Sequence, residues 1–288
     1  MVQRTLELPE VDLVYDVHGP LPPEGGLRPL LMIGQPMDAR GFDAQVRLFG
    51  DRTVVTYDPR GLGRSTRKDG GVTNEPETQA EDVHALIEAL GAGAVDLFAS
   101  SGGAVTALAL VAAHPHDVVT LVAHEPPIDC VLPDAEAVQR ARASYTQLYE
   151  DEGWGAGMAA FITMTSWEGE VTEEHLAQPW PSAAALGMPT EDDGSRDDPL
   201  LSDRSWAVCR YEPDLEALRA APTRVVVAVG EESTRVYTGR AAIALAERLG
   251  QRATVFPSHH GGFAGGEFGY AGQPEAFAAK LREVLAQG

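Results

Sequence analysis

Residues 94–107 read Ala-Val-Asp-Leu-Phe-Ala-Ser-Ser-Gly-Gly-Ala-Val-Thr-Ala. The segment begins as a short apolar strand, Val95 to Phe98, and resumes as a helix through Leu108 and Leu110 after a cluster of very small residues. A strand that turns sharply into a helix, with a serine at the corner, presents the serine hydroxyl as a nucleophile at the edge of a sheet. The stretch therefore predicts an α/β fold with a nucleophile at this corner.

The spacing of small residues selects one of the two serines. A strained corner residue needs small neighbours two positions before and two positions after it. Ser101 has Ala99 and Gly103 there, whereas Ser100 has Phe98 two positions before it. We therefore predict Ser101 as the nucleophile, with the N-terminus of the following helix aimed at any oxyanion formed there. An ordinary strand–helix turn remains the alternative, since Ala-x-Ser-x-Gly is a relaxed form of Gly-x-Ser-x-Gly.

Composition limits the class of protein. The 288 residues suffice for one large α/β domain or two small ones, and 44% of them are hydrophobic. The formal net charge of −21 disfavours binding to nucleic acid or to an anionic membrane, because both require clustered Lys and Arg. The two cysteines, Cys130 and Cys209, are too few for a disulfide framework and lack the spacing of metal ligands. We expect no metal site.

The sequence also indicates a cellular location. Met1 to Val11 contains no apolar segment of the kind that a secretory signal needs, and no run approaches the 18 apolar residues of a membrane-spanning helix. We therefore expect a cytoplasmic protein, and the sequence leaves open a homodimer.

Strands and helices alternate along most of the chain, which predicts a parallel sheet covered on both faces. The alternation stops between about Cys130 and Arg210, which predicts a helical insertion over the carboxyl ends of the strands. We expect the α/β core in residues 1–125 and 211–288 and a helical cap in residues 126–210. The predicted strands are Val11–Val17, Leu27–Ile33, Thr53–Tyr57, Val118–Ala123, Thr223–Val229 and Ala253–Phe256, and the helices of the core include Glu75–Leu90, Tyr237–Leu249 and Pro274–Leu285.

Four segments in this order resemble the α/β-hydrolase family. They are the Ala-Ser-Ser-Gly-Gly elbow at 99–103, the Asp-Pro-Arg-Gly-Leu-Gly-Arg-Ser loop at 58–65, the Gly-Gln-Pro loop at 34–36, and the Pro-Ser-His-His-Gly-Gly-Phe loop at 257–263. The resemblance implies an α/β-hydrolase fold and a Ser–His–acid triad. The family's Pro-x-x-His spacing implies His260 as the base, with His259 as a packed neighbour. The Gly-Gln-Pro loop implies an oxyanion hole from the backbone N–H groups of Gln35 and Gly102, although Ile33 replaces the usual histidine.

The acid departs from the broad family's pattern. Most members have an aspartate three residues after a Gly-Glu, but this chain has Ser233 there. The zearalenone lactonases, whose motif is Cys-His-Glu-Leu-Pro, take their acid from the end of the preceding strand. This chain is similar, with Ala-His-Glu-Pro-Pro at 123–127. The resemblance implies Glu125 as the acid, with Glu232 as the alternative.

Together these features predict cofactor-free hydrolysis of a carboxylic ester or lactone through a Ser101 acyl-enzyme. Two alternatives remain open at this point: acyl transfer or cyclisation at the same triad, and a catalytically inactive binding protein. A small apolar ester or lactone is the expected partner. The large apolar residues expected in the substrate pocket are Met37, Trp154, Met158, Phe161 and Trp180.

Overall fold

The computed structural model describes residues 1–23, 26–267, 269 and 271–287. Within these residues the strands are β1 (Val2–Glu7), β2 (Val11–His18), β3 (Leu30–Gln35), β4 (Val54–Tyr57), β5 (Thr66–Arg67), β6 (Val95–Ser101), β7 (Val118–His124), β8 (Arg224–Gly230) and β9 (Thr254–Phe256). The α-helices are α1 (Asp43–Leu48), α2 (Pro76–Leu90), α3 (Gly102–Ala113), α4 (Ala135–Glu152), α5 (Trp154–Ser166), α6 (Glu173–Ala177), α7 (Trp206–Arg210), α8 (Leu215–Ala220), α9 (Tyr237–Arg248) and α10 (Pro274–Leu285).

The main sheet has the strand order β1-β2-β4-β3-β6-β7-β8-β9, and β5 pairs with the edge of β2. β2 pairs antiparallel with β1, β4 and β5. Neighbouring strands along the order β4-β3-β6-β7-β8-β9 are all parallel. The order reverses between β3 and β6, so the loops after these strands diverge to opposite faces. Such a reversal is where an open α/β sheet forms a crevice for ligands.

Each face of the sheet buries its own apolar cluster. One side of β3 points Leu31 and Ile33 into the larger cluster, which also contains the inner faces of α2, α3 and α9. The other side points Leu30 and Met32 into a smaller cluster shared with α10. Successive side chains of β3 thus enter opposite clusters, and neither face of the strand is polar. This is expected where helices cover both faces of a sheet.

The insertion predicted between β7 and β8 is helical. Helices α4 to α7 lie there, and their buried side chains join the larger apolar cluster. Tyr145 and Tyr149 of α4 and Met164 of α5 are each at most 2% exposed. The boundaries 126 and 210 of a separate cap unit stay a prediction.

The first strand was not anticipated from the sequence. β1 is exposed along nearly its whole length and pairs with β2 from Val2–Val17 to Glu7–Asp12. Apolar and polar residues need not alternate in a strand that has both faces in water, so hydrophobic periodicity does not predict such a strand.

In the part of the chain that the structure describes, no helix is long and apolar enough to cross a bilayer.

Candidate active site

Ser101 ends β6 and immediately precedes α3, at the corner between strand and helix. Its backbone has φ 56° and ψ −130°, a conformation that residues other than glycine rarely adopt. Gly103 explains why small neighbours are needed, since a Cβ atom there would lie 2.7 Å from the Cα of Gly34. The strained backbone of Ser101 therefore lies where the start of α3 closely approaches the end of β3.

Glu125 follows β7 and is fully buried, with a backbone φ of 48°. Its Oε1 accepts a hydrogen bond from the backbone N–H of Gly230 at 2.8 Å. Its Oε2 accepts one from the Thr238 hydroxyl at 2.6 Å and lies 2.7 Å from Nδ1 of His260. Both carboxylate oxygens are thus held by donors, as a buried charge requires.

These contacts decide the charge of the Glu125 side chain. Burial raises its pKa. The hydrogen bond from His260, the attraction that protonated His260 and His124 exert on the carboxylate, and the Thr238 hydroxyl outweigh burial and lower the pKa to about 2. Glu125 is therefore a carboxylate at neutral pH. Nδ1 of His260 must then carry the proton of their shared hydrogen bond, which leaves Nε2 of His260 as the basic nitrogen.

His260 lies in the loop after β9, and about a third of its side chain is exposed. The preceding Ser258 has φ 70°, which turns the loop sharply. Ser101 and His260 line the same cavity. No direct hydrogen bond joins their side chains among the contacts described in this structure. Such bonds are often long without substrate and tighten when the reacting complex forms.

The position at which the resemblance led us to expect an aspartate holds a residue with no charge. Ser233 is 2% exposed, and its backbone closes a turn by donating to Gly230. Glu231 and Glu232 are exposed on the surface. Glu231 accepts a hydrogen bond from the backbone N–H of Ser258 at 3.3 Å. Of the two acids weighed from the sequence, the structure brings Glu125 to His260.

The predicted oxyanion-hole residues lie on either side of the nucleophile. Gln35 is the parallel-register partner of Ser101 across β3 and β6, and Gly102 is the first residue of α3. Both line the cavity. The Gln35 side chain is 4% exposed, and neither its Oε1 nor its Nε2 has a hydrogen-bond partner among the described residues.

A cavity of about 220 Å³ opens above Ser101 between the sheet edge and the inserted helices. Phe161 of α5 lines it, as the sequence predicted. Met37, Trp154, Met158 and Trp180, also predicted there, are not among its lining residues.

Hydrogen bonds and packing explain where these residues lie instead. The indole N–H of Trp154 donates to Asp198 at 2.9 Å, and that of Trp180 donates to the Ser144 hydroxyl at 2.9 Å. Met37 folds back against Gly34. Met158 packs on the larger apolar cluster. Both tryptophans therefore use their polar atoms inside the insertion rather than toward a ligand.

Several lining residues were not found from the sequence. They are Asn74, Pro127, Arg142, Tyr145, Val208, Cys209, Val236, Tyr237 and Thr238, together with others of the inserted segment. Arg142 is 4% exposed and donates through Nη2 to Asp129 and to the Tyr237 hydroxyl, both at 3.0 Å. No pattern of neighbouring residues in the sequence predicts that these residues line the cavity, because they come from distant segments of the chain. Asn74 and Thr238, the two furthest apart of those just named, are separated by 164 positions.

Comparisons with known proteins agree with this architecture. A family model described as "alpha/beta hydrolase fold" matches residues 39–161. The chain is 28% identical over 286 residues to the uncharacterized hydrolase YraK of Bacillus subtilis (strain 168), covering 98% of this chain and 95% of that protein.

Solved structures of similar shape include two named hydrolases. A thermophilic esterase from Thermogutta terrifontis superposes with a TM-score of 0.63 at 20% identity, covering 100% of this chain and 99% of the esterase. The enol-lactonase from Burkholderia xenovorans LB400 gives 0.62 at 17% identity, covering 98% of this chain and 100% of the lactonase. Together with the strand order, these matches show that the chain has the α/β-hydrolase fold.

Proposed function

We propose that this α/β-hydrolase-fold protein hydrolyses a carboxylic ester or lactone through an acyl-enzyme on Ser101, without a cofactor. His260 acts first as base and then as acid, and Glu125 orients it. The observation that carries this proposal is the 2.7 Å contact between Nδ1 of His260 and the buried Glu125 carboxylate, on the wall of the cavity that also contains Ser101.

In the proposed first step the Ser101 hydroxyl attacks the ester carbonyl carbon and passes its proton to Nε2 of His260. The carbonyl π electrons move to the oxygen, giving a tetrahedral oxyanion that faces the backbone N–H groups of Gln35 and Gly102. Glu125 stabilises the imidazolium formed at His260. Collapse of the oxyanion breaks the bond to the alcohol oxygen, which takes the proton from Nε2.

The second step repeats this chemistry with water. His260 takes a proton from a water molecule as the water oxygen attacks the acyl carbon, and the new oxyanion collapses to release the acid. The proton returns to the Ser101 oxygen, so the enzyme is regenerated with no net change. For a lactone the alcohol and the acid are two ends of one product. The apolar lining contributed by Phe161, Val208 and Val236 supports an apolar acyl or lactone group.

The test combines covalent labelling with kinetics. We expect a fluorophosphonate probe to label the protein once, on the peptide that contains Ser101. Ser101→Ala should abolish labelling and lower kcat by about 10⁶-fold while the far-UV circular dichroism stays unchanged. Assays are run in excess chelator without added cofactor.

Ser100→Ala is the matched control and should retain labelling and most of the activity. Its hydroxyl faces inward and bonds to Nδ1 of His124 at 3.2 Å. Hydrolysis that persists in Ser101→Ala would rule out the acyl-enzyme. Absence of both labelling and turnover with a panel of esters and lactones would instead support a binding protein, and product formed only with an added alcohol or amine would support acyl transfer.

A further inference from the structure

A second cluster of reactive side chains lies far from Ser101. His84 belongs to α2, His114 follows the last residue of α3, and Asp117 directly precedes β7. One possible ligand atom from each of these residues lies within 4.8 Å of the other two. The cluster lies at the amino ends of β6 and β7, about 20 Å along the sheet from the corner at Ser101, given the ~3.3 Å rise per strand residue.

The two imidazole rings are packed face to face. Their centroids are 3.7 Å apart and their planes differ by 7°. Nδ1 of His84 lies 2.6 Å from an oxygen of Asp117. All three side chains are between 17% and 25% exposed, so they are accessible to an ion from solvent and have room to turn.

Two further carboxylates lie at the other ring nitrogens. Glu81 contacts Nε2 of His114 at 2.8 Å, and Glu88 lies 3.7 Å from Nε2 of His84. A carboxylate on one nitrogen of a histidine fixes the tautomer and makes the other nitrogen more basic, which is the arrangement typical of histidine ligands in metal sites. Because α2 carries His84, Glu81 and Glu88 at helical spacings of three and four, one face of this helix presents all three.

We propose that His84, His114 and Asp117 bind a divalent transition-metal ion of the Zn²⁺ class. Two imidazole nitrogens and one carboxylate oxygen form a ligand set that such ions prefer, whereas Mg²⁺ and Ca²⁺ prefer oxygen ligands alone. The fourth position is taken by water. Glu81 holds His114 from the far side of its ring.

The stacked arrangement of the two rings must change in a specific way when the ion binds. A metal lies in the plane of each imidazole that it binds, and two parallel stacked rings cannot both satisfy this. In a tetrahedral site the ligand atoms lie about 3.4 Å apart, given bonds of about 2.1 Å. The rings therefore open from their stack. Nδ1 of His84 and the Asp117 oxygen, which lie 2.6 Å apart, separate by about 0.8 Å, and the ion displaces the proton between them.

The ion would tie the α2–α3 pair to the start of β7. Binding to the folded state alone raises stability in proportion to the logarithm of the free ion concentration. The site is separate from the proposed active site, so the inference stands independently of what reaction Ser101 performs.

The experiment is isothermal titration of the tag-free, metal-stripped full-length protein with ZnCl₂, at a pH above the ordinary histidine pKa of about 6.5. Excess Mg²⁺ is present to occupy sites made of carboxylates alone. We expect one Zn²⁺ per chain and a rise in Tm. His84→Asn and His114→Asn should each weaken binding at least about 100-fold, and Glu81→Gln about tenfold.

His116→Asn is the matched control, because His116 is an exposed histidine two residues from His114 and is not part of the cluster. It should bind Zn²⁺ as the parent does. Absence of binding to the parent protein would overturn the proposal. So would binding that is as strong in both cluster-histidine variants as in the parent, or a loss in the His116→Asn control equal to that in the cluster variants. Should one variant fail to fold by circular dichroism, the other still decides the outcome.

Discussion

The acid residue of the proposed triad lies at a different position from the one at which the α/β-hydrolase motif expects an aspartate. Ser233 lies at that expected position, and a hydroxyl cannot balance the charge of an imidazolium. Glu125 reaches His260 from the previous strand in the sheet because its own backbone turns at φ 48° and its side chain is one methylene longer than that of aspartate. The Gly230 N–H and the Thr238 hydroxyl fix the remaining lone pairs.

Replacing this carboxylate by its amide isolates its charge and tautomer roles. We expect Glu125→Gln to lower kcat by about 10⁴-fold with little change in fold, because an amide no longer selects the Nδ1–H tautomer of His260 or stabilises its cation. Steady-state kinetics and circular dichroism are measured on the same preparations.

Glu231→Gln and Glu232→Gln serve as controls and should stay within about tenfold of the parent, less than about 1.4 kcal/mol in barrier. If Glu232→Gln loses activity and Glu125→Gln retains it, the assignment of Glu125 as the acid is wrong. The lactonase-like resemblance would then lose its main support.

The parts of this site that could be predicted from the sequence are those constrained by neighbours along the chain. The small residues around Ser101 report a local steric requirement, and the motif around Glu125 reports a strand end. Thr238 donates to Glu125 from 113 positions away, and Arg142 bonds to Tyr237 across 95 positions. Contacts of that range depend on how the helices pack, and no pattern of nearby residues encodes them.

At the scale of elements, the site depends on how closely three of them meet. β3, β6 and the first turn of α3 approach so tightly that Gly103 faces the backbone of Gly34 with no room for a methyl group. Most predicted core elements agree with the structure to within one to three residues. β3, β6, β7 and β8 extend one to three residues further at their carboxyl ends than expected. Those additional residues, such as Gln35 and Ser101, are small or polar, which is why hydrophobic patterning stopped short of them.

Gly103→Ala tests this packing. A Cβ atom there would lie 2.7 to 2.8 Å from three backbone atoms of Ile33 and Gly34, which cannot move as a flexible side chain would. We expect a loss of about 1–3 kcal/mol in the free energy of unfolding, typical of overpacking, together with a lower kcat as α3 is displaced from the oxyanion site. Urea titration and ester hydrolysis measure the two effects.

Gly50→Ala is the control, since nothing lies within 4 Å of a Cβ atom there. It should leave both quantities unchanged. A Gly103→Ala protein with the stability and kcat of the parent would show that the approach of α3 to β3 is looser than described.

The inserted helices set the size of the cavity through Phe161, which packs edge-on against Tyr145 with ring centroids 5.7 Å apart. We expect Phe161→Ala to lower kcat/KM for short acyl esters and to raise the ratio of bulky to short ester hydrolysis by about tenfold, because one lost apolar contact is worth about 1–3 kcal/mol. A series of esters of increasing acyl size measures this ratio.

Trp180→Ala removes an aromatic ring that stacks on Trp167 and does not line the cavity. It should leave the ratio unchanged. An equal change in both variants would mean that the insertion as a whole, rather than Phe161, limits substrate size.

For the molecule as a whole, one buried histidine couples the proposed site to stability. His124 is fully buried within the smaller apolar cluster, in contact with the rings of Phe98, Phe256, Phe263 and Phe277. Its Nδ1 bonds to Ser100, whereas its Nε2 has no hydrogen-bond partner among the described residues and lies 3.9 Å from Glu125. Burial dominates over the attraction of Glu125 and lowers the pKa of His124 to about 4.

This shift predicts how the folded state responds to acid. Between pH 6.5, the ordinary histidine value, and about 4, the unfolded chain binds a proton at His124 that the folded protein does not bind. Stability contributed by the neutral ring is therefore complete above pH 6.5 and is lost as the pH falls toward 4, by about 3 kcal/mol for a shift of this size. Glu125, whose pKa is lowered to about 2, loses its contribution at lower pH, below the ordinary glutamate value of 4.5.

His124→Phe removes the titrating group and keeps a ring of similar shape in an aromatic environment. We expect the free energy of unfolding of this variant, measured by urea titration at several pH values between about 7 and 4, to fall less steeply than that of the parent. The lost bond to Ser100 lowers its stability by the same amount at every pH, so the difference between the two curves isolates the proton. His116→Asn, which changes an exposed histidine, should follow the parent curve. Parallel curves for His124→Phe and the parent would mean that His124 is protonated in the folded protein as readily as in the unfolded chain.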